Sequence, residues 1–328
     1  MRAAAILGLG LSAHDLRPFQ EAAGVEWEIG LPASREQLDA ILIFGGDGTV
    51  HRHLGSLVKL ELPVLVVPAG SGNDFARALG LLGVSDSLAA WRKFVAGQSV
   101  ARSVDLGTIN PLTTPASVLP GTLAAERKYF SCAAGVGLDG EIARRANTLP
   151  RWMRAHGGYA LSLPGALIGF QPFNLRLSAS STTNADAPNA QNEQRVVAAV
   201  FANTPYYGGG MKIAPRAQMD DGELDVCLIR EISKLKLLGV FPSVYFGKHL
   251  GLREVEYFSA SSVRIETDRP LDLGGDGQLE ALIVAEGQGR LANGEFVMAG
   301  DAWVLPARMP RMSLHVEARL VVLVCSMP

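Results

Sequence analysis

The sequence predicts an α/β domain with a parallel sheet, followed by a second domain rich in β-strands. The first observation is that short apolar runs alternate with helical stretches over residues 1–103, as they do in a parallel sheet covered by helices. The second is that, from residue 104 onward, strand-sized runs are separated mainly by turn residues. We therefore place the first domain at 1–103 and the second at 104–310, and assign 311–328 as a C-terminal tail without a defined place in either.

The elements of the first domain follow one another as strand and helix. Residues 3–7 form the first buried strand. The predicted strands are "AAAIL", "AILIF" and "PVLVVPA", and the predicted helical stretches are "LRPFQEAAG", "HRHLGSLVKL" and "FARALGLLGVSDSLAAWRKFVAG". Open parallel sheets bind ligands at the carboxyl ends of their strands, so the loops that follow the strands are the candidate sites.

The second domain is predicted from a series of shorter runs. These are "KYFSCAAGVG", "FNLRLSAS", "RVVAAVFAN", "ELDVCLIR" and "SVRIETD". A more helical stretch at 151–170 interrupts them. Residues 178–194 lack periodicity and are rich in Ser, Thr, Asn and Ala, which predicts a mobile hairpin loop without chemistry.

Composition excludes several classes of protein. The 328 residues are 48% hydrophobic, enough for two buried cores, and the net charge of -2 argues against nucleic-acid binding by bulk electrostatics. No run of about 20 apolar residues is present, so no membrane span is expected. The widely spaced Cys132, Cys227 and Cys325 indicate buried, reduced thiols in a cytoplasmic chain.

The stretch "GGDGT", residues 45–49, leads from a strand into a helix. Glycines let the backbone approach a phosphate closely, and amides at a helix start donate hydrogen bonds to it. Asp47 would repel that phosphate unless it holds Mg²⁺ or orients another polar group. The alternative is a tight strand-to-helix turn without a ligand.

A second glycine-rich turn, "PAGSGNDFARALG", occupies residues 68–80. Ser71 offers a hydroxyl, and Asn73 or Asp74 is expected to cap the following helix. Capping alone would account for Asn73 and Asp74 but leave the Gly-Ser-Gly unexplained. If the two preceding strands are neighbours, both loops meet at one cleft.

Together these stretches resemble the diacylglycerol kinase catalytic-domain family, in particular the bacterial soluble lipid kinases related to sphingosine kinases. The resemblance rests on "GGDGT", "PAGSGNDFAR", "DLG", "GVGLDGEIA" and "NTPYYGGGMKIAPRAQMDDGELDV", in this order, and covers residues 38–278. "GGDGT" is shared with NAD kinases and 6-phosphofructokinases, whereas "GNDFAR" and "YGGGM" point to the lipid kinases. The resemblance implies an NAD kinase/phosphofructokinase-like α/β domain and a C-terminal β-sandwich domain, with the active site between them.

The resemblance also implies ATP and Mg²⁺ as cofactors and assigns residues to each. The expected nucleotide site comprises Gly45, Gly46, Asp47, Gly48, Thr49, Val50, His51, Arg52, Gly70, Ser71, Asn73 and Asp74. The expected metal site comprises Asp105, Asp221 and backbone oxygens of Gln218 and Glu223, and Asp47 and Asp74 belong to the same carboxylate network. The residues alone also permit a hairpin turn at "QMDDGELD", which would present those carbonyl groups equally well.

The chain departs from the family pattern in three places. The family's first loop, Asn-Pro and Ser-Gly, is replaced by "LGLGLS" at 7–12, where Gly8, Gly10 and Ser12 remain candidates for a phosphate contact. The family commonly has Asn and Glu after "GGDGT", where this chain has His51 and Arg52; Arg52 is expected either to pair with a phosphate or to lie on the helix surface.

The third departure lies in the expected catalytic set of Asp47, Asp276 and Gln278. The family has a glutamate thought to act as base where "GGDGQLE", residues 274–280, places Gln278, which cannot accept a proton. Asp276 is expected to approach the acceptor, with Glu280 or Glu295 as other substitutes for the base.

The leading hypothesis is a lipid kinase that transfers the γ-phosphoryl group of ATP to a hydroxyl of diacylglycerol or a sphingoid-type acceptor. The segments 151–170 and 235–252 combine basic, aromatic and aliphatic residues, which predicts either core packing or peripheral membrane contact. The expected partners are a lipid acceptor and a membrane surface, with no nucleic acid and a homodimer as a candidate assembly. The alternatives are an NAD kinase-like enzyme with a soluble acceptor, and a nucleotide- or lipid-binding protein with impaired catalysis.

Overall fold

A computed structural model of the protein describes residues 1–21, 24–36, 38–99, 101–111, 128–149, 153, 158–181, 193–268, 271–276, 278–279, 288–290, 296–298, 307–308 and 311–322. The helices are α1 (Ala13–Gln20), α2 (Asp47–Leu60), α3 (Asp74–Ala78), α4 (Val84–Val95), α5 (Leu138–Thr148), α6 (Gly158–Gly169) and α7 (Lys234–Val240), with 3-10 helices at Phe241–Phe246 and Lys248–Gly251. The strands are β1 (Arg2–Leu7), β2 (Glu26–Ile29), β3 (Ala40–Gly45), β4 (Val64–Pro68), β5 (Arg102–Pro111), β6 (Lys128–Phe130), β7 (Ala133–Gly137), β8 (Phe173–Ser180), β9 (Glu193–Ala202), β10 (Leu224–Arg230), β11 (Val255–Ala260), β12 (Ser262–Thr267), β13 (Asp272–Gly275), β14 (Gln278–Leu279), β15 (Gln288–Arg290), β16 (Phe296–Met298), β17 (Ala307–Arg308) and β18 (Arg311–Val322).

The N-terminal region contains a parallel sheet in the order β2-β1-β3-β4. Every residue of β3 and β4 is buried, as expected for parallel strands covered on both faces. The alternation of apolar runs and helices predicted this sheet correctly. It missed β2, whose residues are mostly exposed and carry no apolar run.

The helix after β3 packs on this sheet through one face. Its buried residues Val50, Leu54, Leu57 and Leu60 recur every three or four positions, and it ends at Glu61 in the left-handed region, with φ 51°. The helical stretch predicted farther along the chain is in fact two helices, α3 and α4. Gly80, with φ +79°, lies between them.

The second region is an antiparallel sheet that continues from the first through β18. In β18, residues 311–322 pair antiparallel with β12 and β5, and Val322 lies beside Val64 of β4 in parallel register. The segment assigned to a tail therefore contributes a strand that joins the two sheets, because its backbone pairs with β12 and β5 and, at Val322, with β4.

The remaining predictions on segments have mixed outcomes. The helical stretch predicted at 151–170 contains α6. The predicted hairpin loop is shorter than expected, since β8 extends to Ser180 and β9 begins at Glu193, and 182–192 lie outside the described residues. Cys132 and Cys227 are buried and free, whereas Cys325 lies outside the described residues.

In the described part of the chain, no helix is both long and apolar enough to cross a bilayer.

Candidate active site

The two glycine-rich loops lie against each other because β3 and β4 are adjacent parallel strands. The Ala69 N–H donates to the carbonyl oxygen of Gly45 over 3.0 Å. A Cβ atom built on Gly46 would lie 2.8 Å from the Cα of Gly70. Only glycine fits at this contact, so the structure brings both predicted loops to one place with their backbones touching.

Asp47 joins the first loop to the second. Its Oδ2 accepts a hydrogen bond from the N–H of Asp74 at 2.9 Å, and its Oδ1 accepts one from the N–H of Phe75 at 3.0 Å. Burial raises the pKa of Asp47, against the lowering effect of these two N–H groups. Of the two roles expected for Asp47, holding a metal and orienting a polar group, the structure displays the second.

The second loop is closed by Asn73. Its Oδ1 accepts from the Gly70 N–H at 2.9 Å and its Nδ2 donates to the Gly70 carbonyl oxygen at 2.8 Å. Asn73 occupies the N-cap position of α3 with φ 54°, but its side chain does not cap the helix. The expected capping role is therefore corrected to one of closing the loop, and this leaves Ser71 exposed at the loop surface.

Asp74 connects this loop to the second region. Its buried carboxylate forms an ion pair with Arg77 and accepts a hydrogen bond from the Gly209 N–H at 2.7 Å. Burial, followed by the negative charge of Asp47, raises the pKa of Asp74 to about 7. The Arg77 guanidinium lies over the ring of Tyr206, 5.7 Å from its centroid.

The residues after the first loop separate into different roles. Val50 is 1% exposed, and its side chain packs in the N-terminal core. Thr49 packs its hydroxyl against Gly45, where a Cβ would lie 2.5 Å from Oγ1. Arg52 is exposed, whereas His51 is partly buried and faces the second region.

Asp276 lies opposite His51 and is enclosed by donors. Its Oδ2 accepts from the Ser131 N–H at 2.6 Å and from the Ser131 hydroxyl at 2.8 Å, and its Oδ1 accepts from the N–H groups of Cys132 and Ala133. The Nδ1 atom of His51 lies 3.2 Å from Oδ2. A carboxylate has about four lone-pair positions, so the structure favours a positioning role for Asp276 over the expected approach to the acceptor.

The residue at the family's base position, Gln278, and its two possible substitutes have no described side chains. Gln278 belongs to β14, which pairs with β13, and its side chain is not among the described ones. Glu280 and Glu295 lie outside the described residues.

The residues of the expected metal site lie together at the start of β10. The Gly222 N–H donates to Asp105 Oδ2 at 2.7 Å, and the Glu223 N–H donates to Asp221 Oδ1 at 3.0 Å. Burial raises the pKa of Asp221, and the charges of Glu223 and Asp105 raise it further. Within the described residues, no group of three or more His, Cys, Asp or Glu is arranged to hold a metal ion.

The loop at residues 7–12, which replaces the family's first loop, also differs from expectation. The Ser12 hydroxyl accepts from the His14 N–H at 3.3 Å and caps α1, with Asp15 completing a capping box. Gly8 is buried, and a Cβ there would lie 2.8 Å from the carbonyl oxygen of Phe44. Ser12 is thus used in the local fold, and Gly8 permits close packing between strands.

An apolar cavity lies in the second region, between the sheet and helices α5, α6 and α7. It encloses about 650 Å³ of empty space, part of which is open to solvent. Its lining residues are Leu138, Asp139, Ile142, Leu163, Ala198, Val200, Tyr207, Ile213, Ile229, Ile232, Leu237, Val240, Phe241, Val244, His249, Leu252 and Val255.

Two polar residues of this cavity, Asp139 and Tyr207, were not singled out from the sequence. Burial raises the pKa of Asp139 to about 7, against the lowering effect of the hydrogen bond from Tyr207. Both belong to stretches that carry the family resemblance, "GVGLDGEIA" and "PYYGGGM". A carboxylate between apolar residues in a glycine-rich stretch was the available signal.

The chain is similar to known lipid kinases along most of its length. The diacylglycerol kinase catalytic domain model matches residues 15–109, and the YegS C-terminal NAD kinase beta sandwich-like domain model matches residues 132–288. A diacylglycerol kinase of Mycobacterium tuberculosis is 31% identical over 258 residues, which cover 79% of this chain and 73% of that protein. A protein of Chromohalobacter salexigens named "Probable lipid kinase YegS-like" is 30% identical over 270 residues, covering 78% of this chain and 77% of that protein.

The fold is also that of solved structures. The crystal structure of a diacylglycerol kinase from Bacillus anthracis superposes with a TM-score of 0.60 at 16% identity, covering 99% of this chain and 97% of that one. The expected fold class, a parallel α/β domain with a C-terminal β-sandwich domain, is confirmed. The chain belongs to the diacylglycerol kinase catalytic-domain family of lipid kinases.

Proposed function

We propose that this protein is an ATP- and Mg²⁺-dependent kinase that phosphorylates a hydroxyl group of a lipid, such as diacylglycerol or a sphingoid base. The observation that carries the proposal is the position of residues 206–211 between the glycine-rich loops and the apolar cavity. The Gly209 N–H binds Asp74 beside those loops, and Tyr207, two residues earlier, lines the cavity. A lipid whose apolar part occupied the cavity would therefore have its polar end near the loops.

The glycine-rich loops suit a triphosphate. The contact between Gly46 and Gly70 leaves no space for a Cβ, so backbone groups form the surface where the two helices begin. Amides at the start of α2 favour anions, whereas the Asp74 and Phe75 N–H groups at the start of α3 donate to Asp47. Ser71 is exposed at the second loop. We assign Gly46, Gly48, Thr49, Gly70 and Ser71 to ATP binding, while Asp47, Asn73 and Asp74 hold the loops in place.

The donor set at β10 suits Mg²⁺. Asp105 and Asp221 would supply carboxylate oxygens, and Gln218 and Glu223 would supply backbone oxygens. Mg²⁺ is commonly held by one or two protein carboxylates together with water and substrate phosphates, so a cluster of three carboxylates is not required. When bound, the ion would neutralise charge on the phosphates during transfer.

Membrane contact is part of the proposal because the same elements that line the cavity expose apolar residues on their outer side. Ile168 is 81% exposed, Leu235 84% and Phe246 72%. Leu163, Leu237 and Val244, from the same three elements, line the cavity. We propose that this outer face lies on the membrane from which the acceptor enters, with the protein in the cytoplasm.

The decisive experiment is incubation of the purified protein with γ-labelled ATP, Mg²⁺ and dispersed lipids, followed by counting of label in the organic phase. We expect a labelled lipid with wild type and none with Asp47→Asn, because an amide cannot accept both backbone hydrogen bonds from the second loop. Circular dichroism shows whether that variant is folded. Wild-type protein that binds ATP but labels no lipid contradicts the proposal, and label transferred to NAD would establish a soluble acceptor instead.

The proposed membrane contact is tested with separate variants. Leu235→Glu and Phe246→Glu should reduce sedimentation with phospholipid vesicles and slow the labelling of a vesicle-borne lipid. They should leave the labelling of a short-chain, water-soluble analogue unchanged. Equal loss with both acceptors would contradict a membrane role for this face.

A further inference from the structure

His51 and Asp276 form a hydrogen-bonded pair across the junction between the two regions. The side chain of Asp276 is fully buried, and that of His51 is 15% exposed. Four donors from residues 131–133 hold the carboxylate, and these hydrogen bonds fix its position independently of His51. The imidazole Nδ1 atom, 3.2 Å from Asp276 Oδ2, completes the set.

The chemistry of this pair is directional. A carboxylate oxygen accepts hydrogen bonds, and the contact fits the tautomer in which Nδ1 of His51 carries the proton directed at Asp276. The second ring nitrogen, Nε2, is then the basic atom, and a buried carboxylate behind an imidazole stabilises the imidazolium formed when Nε2 takes a proton. The pair is thus suited to accept a proton from a hydroxyl group.

The pair lies beside the two loops. His51 follows Asp47 by four residues on α2, one helical turn, so both side chains point to the same side of the helix. The charge of Asp276 acts on Asp47, and the charges of Asp47, Asp74 and Asp276 all act on Cys132. His51 therefore lies at the point where the loops, the acidic residues and the second region meet.

We propose that His51 is the general base toward the acceptor hydroxyl and that Asp276 is its positioning residue. This inference rests on the proposed lipid kinase activity. The acceptor oxygen forms a bond to the γ-phosphorus of ATP as the bond from that phosphorus to the β,γ-bridging oxygen breaks and ADP leaves. The hydroxyl proton passes to Nε2 of His51 and later to solvent. The amide of Gln278 has no basic site for this proton. His51 would therefore supply the base that is missing at position 278.

The first test separates catalysis from folding and binding. His51→Asn should lower kcat for lipid phosphorylation about 100-fold or more, the usual range for loss of a general base, with little change in KM for ATP or for the lipid. His53→Asn on the same helix is the matched control and should change kcat by less than about twofold. A kcat of His51→Asn within about threefold of wild type overturns the assignment, as does a parallel loss of ATP binding and thermal stability.

The second test determines whether a base at another position, or free imidazole, can replace His51. His51→Asn combined with Gln278→Glu should recover at least about tenfold of the lost kcat, and free imidazole should partly restore His51→Gly. In wild type, nitrogen chemical shifts of the His51 ring should show the Nδ1–H tautomer, whereas the Nε2–H tautomer would overturn the proposal. Activity of wild type with unchanged activity of His51→Asn rejects this inference alone; absence of lipid labelling by wild type rejects both it and the proposed function.

Discussion

The backbones of Gly46 and Gly70 are in direct contact: a Cβ atom on Gly70 would lie 2.3 Å from the Cα of Gly46 and 2.7 Å from its nitrogen. Real Cβ atoms do not approach backbone so closely, and neither partner is a flexible side chain that can move aside. The two glycines are therefore required by the contact between the loops. That contact places the starts of α2 and α3 side by side, so that Asp47 at the start of α2 accepts hydrogen bonds from the first two N–H groups of α3.

Substitution at this contact should separate the loops. Gly70→Ala is expected to weaken ATP binding about tenfold or more and to lower Tm, because the added methyl group displaces the Gly46 backbone. Gly55→Ala in α2 is the matched control: no atom lies within 4 Å of its Cβ, and removing a helical glycine should stabilise by about 0.5–1 kcal/mol. ATP titration by calorimetry and thermal melts measure both effects. Wild-type ATP affinity in Gly70→Ala would show that the loops tolerate separation.

The parallel sheet could be predicted because its strands are encoded locally. β3 and β4 are continuous apolar runs followed by glycine-rich turns, and burial on both faces requires that pattern. β18 could not be placed in the same way. Its pairing with β5 and β12 joins segments far apart in the chain, and its own residues do not indicate which strands it pairs with.

The same limit applies within the site. The glycines, Asp47 and Asp74 could be selected as functional from their turns, but not the partners of their carboxylates. Asp276 binds Ser131, 145 positions away in the chain, and a buried carboxylate held by backbone amides has the same sequence appearance as one that reacts. The apolar cavity is equally non-local, since its lining comes from α5, α6, α7 and three strands.

Asp139 should make stability depend on pH. Its pKa is about 7 in the folded protein because of burial, against 3.8 for the ordinary group. Between these values the folded state holds a proton that the unfolded state has lost, so the free energy of unfolding should fall as pH rises from about 4 to about 7, by up to about 4 kcal/mol. Asp139→Asn, which cannot titrate, should flatten this slope in urea unfolding series.

Glu141 in the same helix provides a control of opposite sign. Burial raises its pKa, but Arg144 and Arg145 lower it by more, so the net shift is downward. Its contribution to stability should be present near neutral pH and lost as pH falls below about 4.5. Glu141→Gln should therefore differ from wild type most at neutral pH. Identical pH profiles for Asp139→Asn and wild type would contradict the assigned shift.

Filling the cavity should affect the lipid and not the nucleotide. Ala198 is 4% exposed and lines the cavity, so Ala198→Leu would occupy space that acyl carbons would use. With about 0.8 kcal/mol per buried methylene, loss of one or two should raise KM for the lipid about tenfold. Leu163→Phe, from the opposite wall, should act similarly. ATP affinity and Tm are the controls, and an unchanged lipid KM in both folded variants would exclude the cavity as the acyl site.

Asp221 should set the requirement for Mg²⁺. Its pKa is raised by burial and by the charges of Glu223 and Asp105, so the metal-free protein carries repulsion that a cation would relieve. Asp221→Asn keeps an oxygen for the Glu223 N–H but loses the charge. It should raise Tm slightly without Mg²⁺, abolish stabilisation by added Mg²⁺, and raise the Mg²⁺ concentration for half-maximal labelling about tenfold or more.

The neighbouring Asp220, 52% exposed and 3.7 Å from Arg102, is the control, and Asp220→Asn should keep the wild-type Mg²⁺ dependence. Equal Mg²⁺ dependence of both variants would place the ion elsewhere, because the charges of Glu223 and Asp105 act on Asp221 whereas Asp220 lies near Arg102.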